Sequence, residues 1–75
     1  MNPGSLITPA AGGLHMYESI DGNRRIFIST LQEDHLGIAV ESGYSNTDVP
    51  YVRVLNAGGK IGWVRYERVK VLCVS

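Results

Sequence analysis

The sequence predicts a small all-β barrel. Turn-forming residues interrupt it at short intervals, its apolar residues alternate rather than recur at helical spacing, and the chain is too short for a broad open sheet. Nine glycines and three prolines divide the 75 residues, and no window carries apolar positions at i, i+3, i+4 and i+7. Short strands on so small a sheet must curl round or leave edges open to other chains. A barrel of about five to six short antiparallel strands is therefore the economical architecture.

Residues 5–8 (SLIT) read as the first strand, and Pro9, which lacks an amide donor, suits its end or a sheet edge. Ala11, Gly12 and Gly13 make a flexible turn into a strand over residues 14–20. Asp21, Gly22 and Asn23 form a hairpin signal, because Gly and Asn tolerate the positive φ of tight turns. In the return strand over residues 24–31, Arg25, Phe27 and Ser29 alternate with Arg24, Ile26, Ile28 and Thr30, so both faces carry apolar groups. Residues 32–35 are a polar turn. Residues 36–41 (LGIAVE) resume a strand in which Gly37 marks a bulge or a close crossing of another backbone.

Residues 42–50 gather Gly, Tyr, Ser, Asn, Thr, Asp and Pro, and form the longest loop-like stretch and the best candidate for a functional loop. Over residues 51–55, Val52 and Val54 share one face and Tyr51, Arg53 and Leu55 the other, so one face enters the core. Residues 56–60 (NAGGK) form a hairpin loop, residues 61–64 (IGWV) return, and residues 65–68 fit a single 3₁₀ turn. A last strand over residues 69–72 turns Val69 and Val71 inward.

The chain reads as one domain, residues 1–75. At this length a folded chain buries only a modest share of its surface, so the margin of stability is thin. Hydrophobic residues at 44% and charged residues at 19% are ordinary for a folded protein. Lys plus Arg equals Asp plus Glu at seven each, which gives no long-range pull toward nucleic acid or an acidic membrane surface. The single cysteine, Cys73, makes no internal disulfide, and with only His15 and His35 beside it there is no zinc-type cluster. No cofactor or metal is expected. The absence of a covalent staple points to a reducing, cytoplasmic setting, and no targeting or membrane segment is visible.

The run Tyr51-Val-Arg-Val-Leu, a glycine-containing hairpin, Gly62-Trp63-Val64, four residues and then Val69 resembles the ending of bacterial SH3-like domains. The opening Met1-x-Pro3-Gly4-x-Leu6, the middle Gly37-Ile38-x-Val40-Glu41 and the ending Gly59-Lys60-Ile61-Gly62-Trp63-Val64 also resemble small SH3-like proteins encoded by phages. The resemblance implies an SH3-like barrel whose final strand closes it. The proline-peptide signature of eukaryotic SH3 domains is largely missing: there is no Ala-Leu-Tyr-Asp-Tyr opening, no tryptophan pair and no acidic first hairpin loop. Binding of proline motifs is not implied.

Two sets of residues are candidates for function. Tyr17, Tyr44, Tyr51, Trp63 and Tyr66 could line an aromatic groove for an extended peptide, or they could sit at barrel rims with wet hydroxyls and Trp63 sealing the core. Lys60, Arg65, Arg68 and Lys70 crowd near Trp63 and Tyr66, a pattern suited to single-stranded nucleic acid and equally to solvated charges that discourage edge pairing. Catalysis lacks a credible set. Cys73 lies at the extreme C-terminus, Glu33, Asp34 and His35 are three adjacent turn residues, and Gly12-Gly13 and Gly58-Gly59 lack phosphate-loop spacing. The sequence therefore predicts a non-enzymatic module that binds a peptide or protein surface. The alternatives are a nucleic-acid-binding barrel and an assembly subunit that completes its core as a homo-oligomer.

Overall fold

Alternation becomes structure most plainly in the strand over Leu14–Tyr17, where Leu14 and Met16 are buried and His15 is exposed. The structure, a computed structural model, describes residues 3–20 and 26–73. Its elements are β1 (Leu6–Pro9), β2 (Leu14–Tyr17), β3 (Phe27–Leu31), β4 (Gly37–Tyr44), β5 (Pro50–Leu55), β6 (Ile61–Arg65), a 3₁₀ turn (Tyr66–Arg68) and β7 (Val69–Cys73). The expected hairpin at Asp21, Gly22 and Asn23, with Arg24 and Arg25, lies outside the described residues.

The seven strands form one sheet in the order β3-β2-β6-β5-β4-β1-β7, antiparallel at every junction. The described residues are all-β, as expected, with seven strands in place of five to six. Curling gives the sheet an inner face, where Ile7, Leu14, Met16, Leu31, Ala39, Val52, Val54 and Val64 make one core, with Val69 and Val71 packed against it. Burying each of the larger of these side chains contributes about 1.5–3 kcal/mol. The curl is a half-barrel with β3 and β7 as its outermost strands. Pro9 ends β1, which lies between β4 and β7, so the missing amide falls at a strand terminus.

Close packing fixes two glycines. A Cβ on Gly62 would stand 2.8 Å from Met16 Cβ and 3.2 Å from the Tyr17 backbone N and O, so β2 crosses β6 only because that side chain is missing. A Cβ on Gly37 would fall 2.5 Å from Val54 Cγ1. Gly37 therefore makes room for a core side chain instead of marking a bulge or a backbone crossing. The bulge in this hairpin lies between Ala39 and Glu41.

The expected loop over residues 42–50 is shortened to residues 45–49, because residues 42–44 and Pro50 are strand. β4 runs on through Tyr44, pairing Ser42 with Val52, Gly43 with Tyr51 and Tyr44 with Pro50. Cross-strand pairing with an apolar run has overridden the local turn composition. What remains is a tight turn organised by buried Ser45, whose hydroxyl accepts the amides of Thr47 and Val49 at 3.3 and 3.1 Å. Asp48 adopts φ 62° within it, a conformation that Asp tolerates better than most residues.

Candidate functional site: two depressions beside Tyr51

β5 has two unlike ends. At its C-terminal end Asn56 Oδ1 accepts the amides of Gly58 (3.0 Å) and Lys60 (2.9 Å), while its Nδ2 donates to Ser29 Oγ (3.1 Å) and the Thr30 carbonyl (3.2 Å). One side chain thus shapes the hairpin turn and ties it to β3. Gly59, at φ 79°, completes the turn in a region that disfavours side chains.

The N-terminal end of β5 is aromatic and open. Tyr44 at the end of β4, Pro50 and Tyr51 at the start of β5, and Tyr66 on the 3₁₀ turn line a depression of about 350 Å³ together with Ser42 and Gly43. Tyr44 is 70% exposed and Tyr66 39%, whereas Tyr51 is only 4% exposed. Tyr51 is a wall held by the fold, and the other two tyrosines are available to a ligand. The 3₁₀ turn places Tyr66 there by following β6 without a break.

On the other side of Tyr51 lies a second depression of about 280 Å³, lined by Gly13, Leu14, His15, Tyr17, Tyr51, Val64, Arg65 and Arg68. Arg65, the extended residue that ends β6, and Arg68, the last residue of the 3₁₀ turn, both line this cavity. Hydrogen bonding to the Tyr51 side chain, and secondarily to Glu67 (Arg65 Nη1 to Oε1, 3.2 Å), holds the Arg65 guanidinium above its ordinary pKa. The His15 ring meets Phe27 edge-on at 5.3 Å and Tyr17 at 6.4 Å.

The five aromatic candidates therefore do not form one groove. Tyr44, Tyr51 and Tyr66 line the first depression, Tyr17 and Tyr51 line the second, and Trp63 lines neither. Trp63 is half-buried, with its ring edge over Gly43, where an added Cβ would lie 3.4 Å from Cη2. Strand pairing sets it in a row running Glu41, Arg53, Trp63, Tyr17, Phe27 across five strands. Within that row Arg53 Nη1 lies 3.5 Å from Glu41 Oε1, and the guanidinium carbon stands 6.0 Å from the Trp63 ring centroid. Sequence reasoning missed Glu41, Phe27, His15 and Asn56. Only the shared face of Tyr51 and Arg53 was visible in the alternation.

The basic cluster is divided as well. Arg65 and Arg68 share a cavity, but Lys60 stands at the opposite end of β6, about 16 Å away at ~3.3 Å per residue. Lys70 is on β7, paired with Thr8. Cys73 is exposed on β7, where strand pairing sets it opposite Leu6. The carbonyls of Glu33 and His35 accept the Thr8 hydroxyl at 3.3 and 3.1 Å, so their turn is tied to β1. Among the described residues, no group of three or more His, Cys, Asp or Glu could hold a metal ion, and no helix is long and apolar enough to cross a membrane. No protein-family model matches the chain, and no curated protein or solved structure matches it.

Proposed function

We propose that this domain is a non-enzymatic, SH3-like interaction module of the cytoplasm that docks an extended peptide segment of a protein partner. The peptide lies in the depression between Tyr44 and Tyr66, over Pro50 and the wall formed by Tyr51. The observation that carries the reading is the contrast within this one depression: two exposed tyrosines flank a third that is almost fully buried. Tyrosines held this way offer large amphipathic contact area with little ordering cost, which suits an extended chain laid across them. The likeness of residues 51–72 to bacterial SH3-like endings supports the same reading, although fold alone says little about function.

A random-peptide display selection against the full chain tests it. Selected peptides should bind the unaltered protein and lose at least about tenfold in affinity, roughly 1.4 kcal/mol, to Tyr44→Ala and to Tyr66→Ala separately. Failure to enrich any peptide would count against the groove, as would binding that ignores both substitutions. Tight binding of single-stranded oligonucleotides that weakens steeply with salt would point instead to a nucleic-acid partner.

A further inference from the structure

The second depression is built differently from the first, and its chemistry is that of an anion site. Two arginines line it, Arg65 at the end of β6 and Arg68 at the end of the 3₁₀ turn that follows. Arg65 is oriented by Tyr51 and Glu67. Arg68 makes no ion pair among the described residues, and its backbone is fixed, since its carbonyl accepts the Ala10 amide at 2.8 Å. Glu67, the ion-pair partner of Arg65, has a side chain that is 63% exposed and lies outside the cavity lining. The remaining side chains of the lining are the rings of Tyr17, Tyr51 and His15 and the aliphatic Leu14 and Val64. Gly13 contributes no side chain to the mouth.

We infer that this cavity binds a small oxyanion carried on a flat ring, an aromatic carboxylate or aryl phosphate, with Arg68 as the principal anion contact and Tyr17 and Tyr51 flanking the ring. Guanidinium forks match the planar pair of oxygens on a carboxylate or phosphate. Arg65 comes to the site already oriented by its two partners, which lowers the cost of ordering it on binding. The assignment is independent of the peptide groove, with which the cavity shares only Tyr51.

Titration of the full chain with benzoate, phenyl phosphate, inorganic phosphate and phenol, followed by amide NMR shifts, tests it. Benzoate and phenyl phosphate should give saturable shifts at Gly13, His15, Arg65 and Arg68, with phenol inert and inorganic phosphate at least fivefold weaker than phenyl phosphate. Whichever of the two aromatic anions binds tighter names the oxyanion. Arg68→Gln should weaken binding at least tenfold while the remaining amide spectrum shows the fold intact. Lys60→Gln, which removes an equal charge from the far end of β6, should leave it unchanged. Three results would each overturn the inference: no saturation with either aromatic anion, an equal response to phenol, or affinity unmoved by Arg68→Gln.

Discussion

The two ends of β5 are built from similarly short hairpins and do opposite things. At the Asn56 end every polar group of one side chain is used, twice as acceptor and twice as donor, and the turn is locked to β3. At the Pro50 end the turn residues satisfy one another through Ser45, and the surface beside them is left to tyrosines that project beyond the core. A hydrogen-bonded end holds shape; an aromatic end with spare surface offers contact. The difference assigns stability to one end of the strand and binding to the other.

Both ends hang on the shared core, so the largest effect is expected there. Met16→Ala removes a fully buried side chain that packs against Gly62 and should cost about 3 kcal/mol in urea unfolding. For a domain of this size that is a large part of the total margin. At the closed end, Asn56→Ala loses the clamp between the β5–β6 turn and β3, and the unfolding free energy should fall by about 2 kcal/mol. Amide hydrogen exchange should rise at Gly58 and Lys60 before it rises in β4. If the cost were negligible, the contrast between the two ends would lose its structural half.

Gly59→Ala probes the same end more gently. At φ 79° an added Cβ is strained although nothing lies within 4 Å of it, so a loss of about 1 kcal/mol is expected, arising from backbone conformation alone. The smallest change belongs to the open end. Tyr44→Ala removes a side chain that is 70% exposed and should shift stability by no more than about 0.5 kcal/mol, while costing the peptide affinity described above.

The closed end and the core were legible in the sequence to different depths. Alternation alone identified Val52, Val54, Val69 and Val71 as inward residues, and the turn residues Gly58 and Gly59 marked the hairpin. The 3₁₀ turn was placed within one residue, because a short polar run between two strands has few other conformations. The course of β4 was not legible. Its last residues have the composition of a loop, and only pairing with the strand beginning at Pro50 makes them β, a long-range fact that local composition does not hold. The site was half legible for the same reason. Residue types named Tyr44, Tyr51, Tyr66, Arg65 and Arg68, but the division into two depressions follows from Tyr51 being a buried wall between them. Lys60 is separated from Arg65 by the length of β6, whereas the row that sets Trp63 beside Arg53 and Tyr17 follows from the strand order β2-β6-β5, which no local pattern encodes.

The central claim is that the Tyr44–Tyr66 end carries binding without carrying the fold. The most direct measurement is a paired one on the Tyr44→Ala, Tyr66→Ala double variant: urea unfolding free energy, and affinity for a peptide selected on the unaltered chain. Unfolding within about 1 kcal/mol of the unaltered protein, together with at least a tenfold loss of affinity, is the predicted result. A double variant that unfolds, or one that stays folded and binds as before, would contradict the account.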